Sequence, residues 1–297
     1  MTTWLPIAAG ILAVFFWAIS FVAIKIALPE MRPMTIIFLR QLLGTITVAV
    51  VVGLRGRWEL PARRDLPRIL LASSVGIVLH QWLQVQGMLT TTAISSSWLS
   101  ALAPILIAFM SWVWLREPFI PFQGVWLLIA GLGAVLVASG SWQALFQGSF
   151  GGIGALLVLA SAFVWAIYTI ILKRLLYNIR PGMATLSVLF SGLLMLIPIS
   201  VYSEGWMDIY DISFSGWISV IVLGVGSTGL ASILYNYALK HVSGTVVASL
   251  QYPEPLITVA AASLLLQETL TLAMAIGGLL ILCGIWSIQR VDVYTDH

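Results

Sequence analysis

The stretch FFWAISFVAIKIALPEMRPM, Phe15 to Met34, returns later in the chain as FVWAIYTIILKRLLYNIRPG, Phe163 to Gly182, without a gap. Aliphatic matches count for little, because apolar chains produce them by chance, but a tryptophan, a lysine and an Arg-Pro pair recur at the same spacing. The matched pairs are Phe15/Phe163, Trp17/Trp165, Ala18/Ala166, Ile19/Ile167, Lys25/Lys173, Arg32/Arg180 and Pro33/Pro181. The pattern predicts a chain made of two related halves.

The composition around this repeat is that of a membrane protein. Of 297 residues, 60% are hydrophobic and only 8% are charged, and the mean hydropathy is +1.04. A soluble domain carries about 25% charged residues. The apolar blocks are roughly 20 residues long, enough for a helix to cross a hydrocarbon core about 30 Å thick. We therefore predict an all-α integral membrane protein.

The apolar blocks divide into ten predicted transmembrane helices. Their ranges are 4–28, 34–54, 68–88, 94–115, 121–141, 151–175, 183–202, 213–239, 245–266 and 270–289. A division into eight or nine spans is the alternative, since boundaries read from sequence shift by several residues. The N-terminal block lacks a basic n-region and is too long for a signal peptide, so it counts as the first span.

The basic residues orient these spans. If the N-terminus lies in the cytoplasm, the cytoplasmic loops and helix ends receive most of them: Arg55, Arg57, Arg63, Arg64, Arg68, Arg116, Lys173, Arg174, Arg180, Lys240 and Arg290. The positive-inside rule then places both termini in the cytoplasm, in a membrane of the bacterial inner-membrane kind. The same distribution argues against a nucleic-acid partner, because the basic residues already have this role in orientation.

A second pair of stretches matches across the halves. LAPILIAFMSWVWLREP (102–118) aligns with PEPLITVAAASLLLQET (253–269), which pairs two prolines and two glutamates: Pro104/Pro255 and Glu117/Glu268. Each half holds five predicted spans, and an odd number gives the second half the opposite orientation. The predicted domains are residues 1–142, the first five-helix repeat, and residues 150–290, the second and inverted one. Inverted repeats are typical of secondary transporters, although a duplication can also persist without transport.

Two longer segments carry a resemblance to a known family. They are GMLTTTAISSSWLSALAPILIAFMSWVWLREP (87–118) and ALKHVSGTVVASLQYPEPLITVAAASLLLQET (238–269). In each, a proline is followed thirteen residues later by a glutamate, and a span rich in small residues comes next. With the ten spans and the repeat, these segments resemble the EamA-type branch of the drug/metabolite transporter superfamily. The resemblance implies export or exchange of small metabolites such as amino acids through a central cavity, and leaves the cargo open.

Polar residues inside two predicted spans are candidates for substrate binding. His80 and Gln84 are four residues apart in the third span and share a helical face. The eighth span carries its polar residues on one face as well: Thr228, Ser232, Tyr235 and Asn236. Polar side chains at membrane depth usually face a wet interior. We therefore expect His80, Gln84, Tyr235 and Asn236 on opposite walls of one cavity. Hydrogen bonds that only join helices are the alternative.

Three tryptophans are further candidates. Trp17 and Trp165 match across the halves and lie well inside their spans, whereas several others lie near span ends, where an aromatic belt explains them. A deep aromatic pair can stack on aromatic or cationic cargo, and close packing between the halves explains it equally well. Trp98, in the fourth span, is the third predicted cavity residue.

Two basic residues, Lys25 and Arg40, lie inside or near the ends of the first two spans. Either side chain can extend along the helix to the membrane surface. The other interpretation is an anchor for an anion, because a charge inside the membrane is a functional-site hypothesis by default.

The remaining candidate is Glu254, in LQYPEPLITV between Pro253 and Pro255. Prolines remove backbone donors and loosen a helix, and free carbonyls at membrane depth need protein or water around them. Pro104 and Pro255 are therefore predicted to loosen matching helices beside the cavity. Burial favours the neutral form of a carboxyl, so Glu254 is a candidate proton carrier. Its alternative role is structural, in support of the loosened backbone, and Ala103 stands opposite it in the first half.

Together these features predict a secondary transporter that exports or exchanges small metabolites by alternating access around a midplane cavity. Amino acids, with a preference for aromatic ones, are the expected cargo, and spans 1, 3, 4, 6, 8 and 9 are expected to line the path. The expected partners are a small-molecule substrate, membrane lipid and a proton as candidate coupling ion. No cofactor, metal or catalytic residue is predicted, and the chain is a monomer or homodimer. The alternatives are an uncoupled facilitator or pore and, less favoured, a membrane-embedded enzyme.

Overall fold

The computed structural model describes residues 4–56, 58–110, 121–203, 209, 211–242 and 250–295, and in these ranges it contains helices and no strand. The helices before the middle of the chain are α1 (Trp4–Ala27), α2 (Pro33–Leu54), α3 (Leu66–Ser73), α4 (His80–Met88), α5 (Ala93–Ser100), α6 (Ala103–Met110) and α7 (Pro121–Ser139). After a short α8 (Trp142–Phe146) come α9 (Gly152–Leu176), α10 (Pro181–Tyr202), α11 (Phe214–Ile221), α12 (Ala231–His241), α13 (Pro253–Leu265) and α14 (Leu272–Thr295).

Among the described residues, six helical stretches are long and apolar enough to cross a membrane: Trp4–Ala27, Pro33–Leu54, Arg63–Met88, Gly152–Leu176, Pro181–Tyr202 and Phe214–His241. Four shorter apolar helices accompany them: Ala93–Ile107, Gly124–Ser139, Pro253–Leu265 and Leu272–Ser287. Helices suit the interior of a membrane, because each helix satisfies its own backbone hydrogen bonds. The all-α prediction is confirmed, whereas ten spans in two inverted repeats remains a prediction. Glu117, the predicted partner of Glu268 in the repeat, lies outside the described residues.

The duplicated Arg-Pro pair marks the start of two helices. Pro33 is the first residue of α2 and Pro181 is the first residue of α10. A proline at this position costs nothing in hydrogen bonding, because the first N–H groups of a helix have no partner within it. The repeated dipeptide is therefore explained by local helix chemistry.

At four places near the middle of the bundle, the described chain departs from regular α-helix. A π-helical segment, Ser74–Leu79, joins α3 to α4, and a second one, Val222–Leu230, joins α11 to α12. Turns at residues 101–102 and 250–252 precede α6 and α13. π-helical turns inside α-helices are frequent at functional sites, because they change which side chains face inward. All four interruptions lie beside the cavity described below.

Two glutamates connect the halves at the bundle end where α1 finishes. Glu268, before α14, accepts hydrogen bonds from the backbone N–H groups of Ala93 (2.8 Å) and Ile94 (3.0 Å) at the start of α5. Glu30 accepts from the backbone N–H (2.8 Å) and the hydroxyl (2.7 Å) of Ser213 before α11. These bonds from the Ser213 side chain and backbone hold the pKa of the Glu30 carboxyl below its ordinary value. Both carboxylates thus stabilise a helix N-terminus of the other half.

At the opposite end of the bundle the halves also meet, through charged groups in loops. The guanidinium of Arg180 lies 3.1 Å from the carboxylate of Glu59. Both side chains are exposed, so this ion pair contributes little to stability. Asp65 is buried beside it and accepts a hydrogen bond of 3.4 Å from Asn178. The contacts at both ends leave the middle of the bundle as the place where the halves can enclose a space.

Helices α7 and α14 approach each other most closely at Gly133 and Gly277. A Cβ atom added to Gly277 would lie 2.6 Å from the carbonyl oxygen of Gly133, and one added to Gly133 would lie 2.5 Å from the carbonyl oxygen of Gly277. The sequence predicts small-residue contacts for these spans, either within the bundle or between protomers. At this pair the contact is within the bundle.

Gly277→Ala is therefore expected to destabilise the protein, because the new methyl group meets backbone that cannot move aside. Overpacking of this kind costs about 1–3 kcal/mol. The measurement is the thermal unfolding midpoint of the purified protein in detergent, with Gly131→Ala as the matched control, because a Cβ at Gly131 meets nothing within 4 Å. A midpoint for Gly277→Ala as high as that of the control would contradict the close contact.

Candidate functional site

A cavity of about 100 Å³ lies inside the bundle, between helices of both halves. Its lining comes from α1, α4, α5, α6, α9, α12 and α13, from both π-helical segments, and from α2 and α10. The last two were not among the expected lining spans. They reach the cavity because they pack against each other, α2 packs against the segment Val222–Leu230, and α10 packs against the segment Ser74–Leu79. The cavity is therefore more polar than the expected spans alone would make it.

One wall of the cavity is an aromatic cluster centred on Trp165. Its ring centroid lies 5.5 Å from that of Trp17, with the planes at 85°, and 5.0 Å from the rings of both His80 and Tyr168. All four side chains line the cavity. The edge-to-face contact between the tryptophans is a favoured arrangement, because the positive ring edge meets the negative ring face. The tryptophans that match across the repeat thus form one surface.

Hydrogen bonds orient two members of this cluster. The indole N–H of Trp17 donates to the carbonyl of Ser227 at 3.2 Å. Nδ1 of His80 lies 3.0 Å from the carbonyl oxygen of Ser161. Because a carbonyl only accepts, Nδ1 must carry the proton, and the Nε2 of the neutral ring remains an acceptor. His80 can therefore accept a hydrogen bond from a polar group of a ligand.

Of the seven predicted substrate-binding residues, four line the cavity: Trp17, His80, Gln84 and Trp165. Tyr235 and Asn236 lie one layer behind it. The ring of Tyr235 lies 4.8 Å from that of Trp17, and its hydroxyl accepts a hydrogen bond from Gln251 at 3.1 Å. Both supporting contacts therefore act on residues that do line the cavity.

Asn236 has a similar supporting position. Its side-chain amide donates to the hydroxyl of Thr185 at 2.7 Å, and Thr185 lines the cavity. Asn236 itself is buried. Of the four polar residues predicted to share a face of the eighth span, Thr228 and Ser232 therefore reach the lining, whereas Tyr235 and Asn236 lie behind it.

Trp98 is buried in a different place. Its ring packs against Gly278 of α14, so closely that a Cβ on Gly278 would lie 2.6 Å from the indole carbons. It is not among the residues that line the cavity. The start of α5 is capped by Thr92, whose hydroxyl accepts a hydrogen bond from the N–H of Ser95 at 3.0 Å. The geometry gives Trp98 a packing contact between α5 and α14.

Glu254 lies in the first turn of α13 and lines the cavity. Pro255 follows it in the same turn, and Pro104 occupies the matching place near the start of α6. Both prolines therefore begin a helix after a turn rather than bend a continuous one. Among the described residues, no hydrogen bond or ion pair to the Glu254 carboxylate is found. The N-terminus of α13 favours a negative charge at this position.

The two basic residues inside the spans have fixed partners. Lys25 donates to the carbonyl of Met88, the last residue of α4, at 3.0 Å, which is a favourable place for a cation. Arg40 does not extend to the surface, since only 6% of it is exposed and it lines the cavity. Its Nε donates to the hydroxyl of Thr228 at 3.1 Å, and Nη2 donates to the hydroxyl of Ser227 at 3.3 Å.

Glycines make room for this arrangement. A Cβ on Gly44 of α2 would lie 2.5 Å from the Thr228 side chain, and a Cβ on Gly224 would lie 2.5 Å from Leu43. Helix α2 can therefore approach the segment Val222–Leu230 closely enough for Arg40 to reach its hydroxyls. The sequence signal for this contact is the glycine content of VLGVGSTGL.

The comparisons with known proteins cover both halves. The model of the EamA-like transporter family matches residues 4–139 and 152–289. An uncharacterized transporter of Archaeoglobus fulgidus is 29% identical over 98% of this chain and 99% of its own. A probable terminal-alkyne amino-acid exporter of Streptantibioticus cattleyicolor is 26% identical over 95% of this chain and 92% of its own.

A solved crystal structure shares the fold, with a TM-score of 0.70, 98% of each chain covered and 16% sequence identity. At this identity the likeness concerns the fold alone. The family match and the relatives agree on a membrane transporter rather than an enzyme. The chain belongs to the EamA-like transporter family.

Proposed function

We propose that this transporter exports or exchanges amino acids, with a preference for aromatic ones, by alternating access around the central cavity. In this proposal ten transmembrane helices form two inverted repeats, residues 1–142 and 150–290. Each half in turn opens the cavity to one side of a bacterial inner membrane, and both termini face the cytoplasm. The proposal combines the repeat in the sequence with the position of the cavity between the halves.

The observation that carries the proposal is the cavity lining itself. It holds an aromatic cluster, a guanidinium and a carboxylate, contributed by helices from both halves. Polar and charged groups at membrane depth are costly and normally mark a substrate path. The lining therefore suits a cargo that is apolar at one part and charged at another, as aromatic amino acids are.

Two further points support the cargo class and the mechanism. One relative is described as a probable amino-acid exporter. The cavity of about 100 Å³ is smaller than the roughly 300–1,000 Å³ typical of small-molecule sites. Helices α6 and α13 begin beside the cavity, and these breaks in the helical structure are places where the halves can separate. A whole amino acid therefore fits only when the halves move apart, so binding of cargo is coupled to a change in the shape of the cavity.

Proton coupling through Glu254 is part of the proposal. A carboxyl that lines the cavity without a described protein partner can gain and lose a proton as water enters and leaves. His80 also lines the cavity, and histidine is a residue type that often carries protons. The carboxyl is the better candidate, because the ring of His80 is already held by Ser161 and Trp165.

Counterflow in proteoliposomes tests the proposed function. Vesicles preloaded with unlabelled phenylalanine are expected to take up labelled phenylalanine faster than empty vesicles. The reason is that a carrier returns to the outer side faster when it is loaded with cargo than when it is empty. Protein-free liposomes and vesicles preloaded with glucose are the controls. Uptake that is equally fast with and without preloading would indicate an uncoupled facilitator or pore instead. No uptake under any condition would remove aromatic amino acids as cargo.

A further inference from the structure

Within the described part of the chain, three buried polar atoms of the cavity lining have no hydrogen-bond partner: Nη1 of Arg40, Oε1 of Gln81 and Oγ of Ser100. All three come from helices of the first half, α2, α4 and α5. Buried polar groups are nearly always satisfied in folded proteins, so each exception calls for an explanation. A polar ligand in the cavity would supply such partners.

Among the three atoms, Nη1 of Arg40 gives the strongest indication of a ligand, because it belongs to a charged group. Its Nε and Nη2 are held by Thr228 and Ser227, which fixes the plane of the guanidinium, and Nη1 finds no partner among the described residues. The hydroxyls that hold it are neutral, so they do not balance its charge. A buried cation without a counter-ion is costly, and the cost falls when an anion binds.

Glu254 is the acidic residue in the cavity lining, and within the described part of the chain it forms no ion pair with Arg40. The lining thus presents a positive and a negative group that do not neutralise each other by direct contact. A ligand with a carboxylate and an ammonium group offers a partner to each of them while Glu254 is ionised, whereas a simple anion offers a partner to Arg40 alone. This favours a zwitterion over a phosphate as the occupant.

We propose that Arg40 is the anchor for the α-carboxylate of the cargo, with Nη1 as the free donor. This inference rests on the proposed function and adds the chemical group by which cargo is selected. A guanidinium suits the role, because it stays positively charged and its Nη1 carries two N–H groups that can donate to a carboxylate. The aromatic cluster around Trp165 then receives the side chain of the amino acid, and decarboxylated amines bind weakly.

Calorimetric titration of the purified protein with three ligands tests the anchor. L-phenylalanine carries both charges, 3-phenylpropionate lacks the ammonium group, and phenethylamine lacks the carboxylate. The wild type is expected to bind phenylalanine at least tenfold more tightly than phenethylamine. In Arg40→Gln the affinity for phenylalanine and 3-phenylpropionate is expected to fall at least tenfold, and that for phenethylamine to change little.

Arg32→Gln is the matched control, because it removes the same charge from the start of α2, eight residues from Arg40 and outside the cavity lining. It is expected to leave all three affinities unchanged. If Arg40→Gln does not fold, Arg40→Lys keeps the charge but not the planar donors, and an intermediate loss confined to the two carboxylates is expected.

The outcomes separate the anchor from the proposed function. Equal loss of all three ligands in the Arg40 variants, or tight binding of phenethylamine by the wild type, would overturn the anchor and leave the transporter proposal standing. A wild type that binds none of the three and shows no counterflow would overturn the proposed cargo and the anchor together. Loss confined to the carboxylate ligands supports both.

Discussion

Replacement of Glu254 by glutamine is expected to abolish the pH dependence of transport while counterflow continues. Glutamine keeps the size of the side chain and its hydrogen-bonding capacity, but it cannot take up or release a proton. The measurement compares phenylalanine accumulation driven by a pH gradient with counterflow at equal pH on both sides. Both are made at saturating cargo, so that a weaker affinity is not mistaken for lost coupling.

Two variants control this experiment. Glu254→Asp keeps an ionisable carboxyl in the first turn of α13 and is expected to retain a pH response. Glu30→Gln removes an acid at the end of the bundle, where Ser213 holds it away from the cavity, and is expected to keep gradient-driven accumulation. Full gradient-driven accumulation in Glu254→Gln would leave the glutamate with a structural role at the start of α13.

The helical architecture could be predicted from sequence, because its signals are local. Hydropathy identifies the apolar helices, and the predicted starts at residues 34 and 183 lie within two residues of Pro33 and Pro181, where α2 and α10 begin. A proline followed by an apolar block determines a helix start with little influence from the rest of the fold.

The cavity lining was predictable only in part, for a physical reason. The rule that polar side chains in a span face inward places His80 and Gln84 in the lining, and it places Tyr235 and Asn236 inside the bundle. It does not tell the cavity surface from the layer behind it. That distinction depends on contacts between distant segments, such as Asn236 with Thr185.

The position of Arg40 shows the same limit more strongly. Its orientation depends on Thr228 and Ser227, far along the chain, and on a π-helical segment that changes which side chains face α2. The charge of an arginine and its depth in the span leave two interpretations open: its side chain extends to the membrane surface, or it lies in the interior of the bundle. The glycine contacts of Gly44 and Gly224 decide for the interior, and these pair residues of opposite halves.

Replacement of Trp165 by alanine is expected to weaken phenylalanine binding at least tenfold, about 1.4 kcal/mol, and leucine binding less. The ring contacts Trp17, His80 and Tyr168, so its removal opens the centre of the aromatic wall. Aromatic pairs contribute about 0.5–1.5 kcal/mol beyond the energy of the area they bury. Leucine, which is aliphatic, loses only the contribution of the buried area when the ring is removed. Titration of both amino acids into wild type and variant measures the difference.

Trp98→Ala is the matched control, because it removes an equally large buried ring that packs on Gly278 instead of lining the cavity. It is expected to lower thermal stability without changing the preference for phenylalanine over leucine, whereas Trp165→Phe, which keeps a ring, should retain much of that preference. Equal losses of phenylalanine and leucine in Trp165→Ala would mean that the matched tryptophans only pack the halves together. A changed preference in Trp98→Ala would instead bring Trp98 into contact with cargo in another state of the transport cycle.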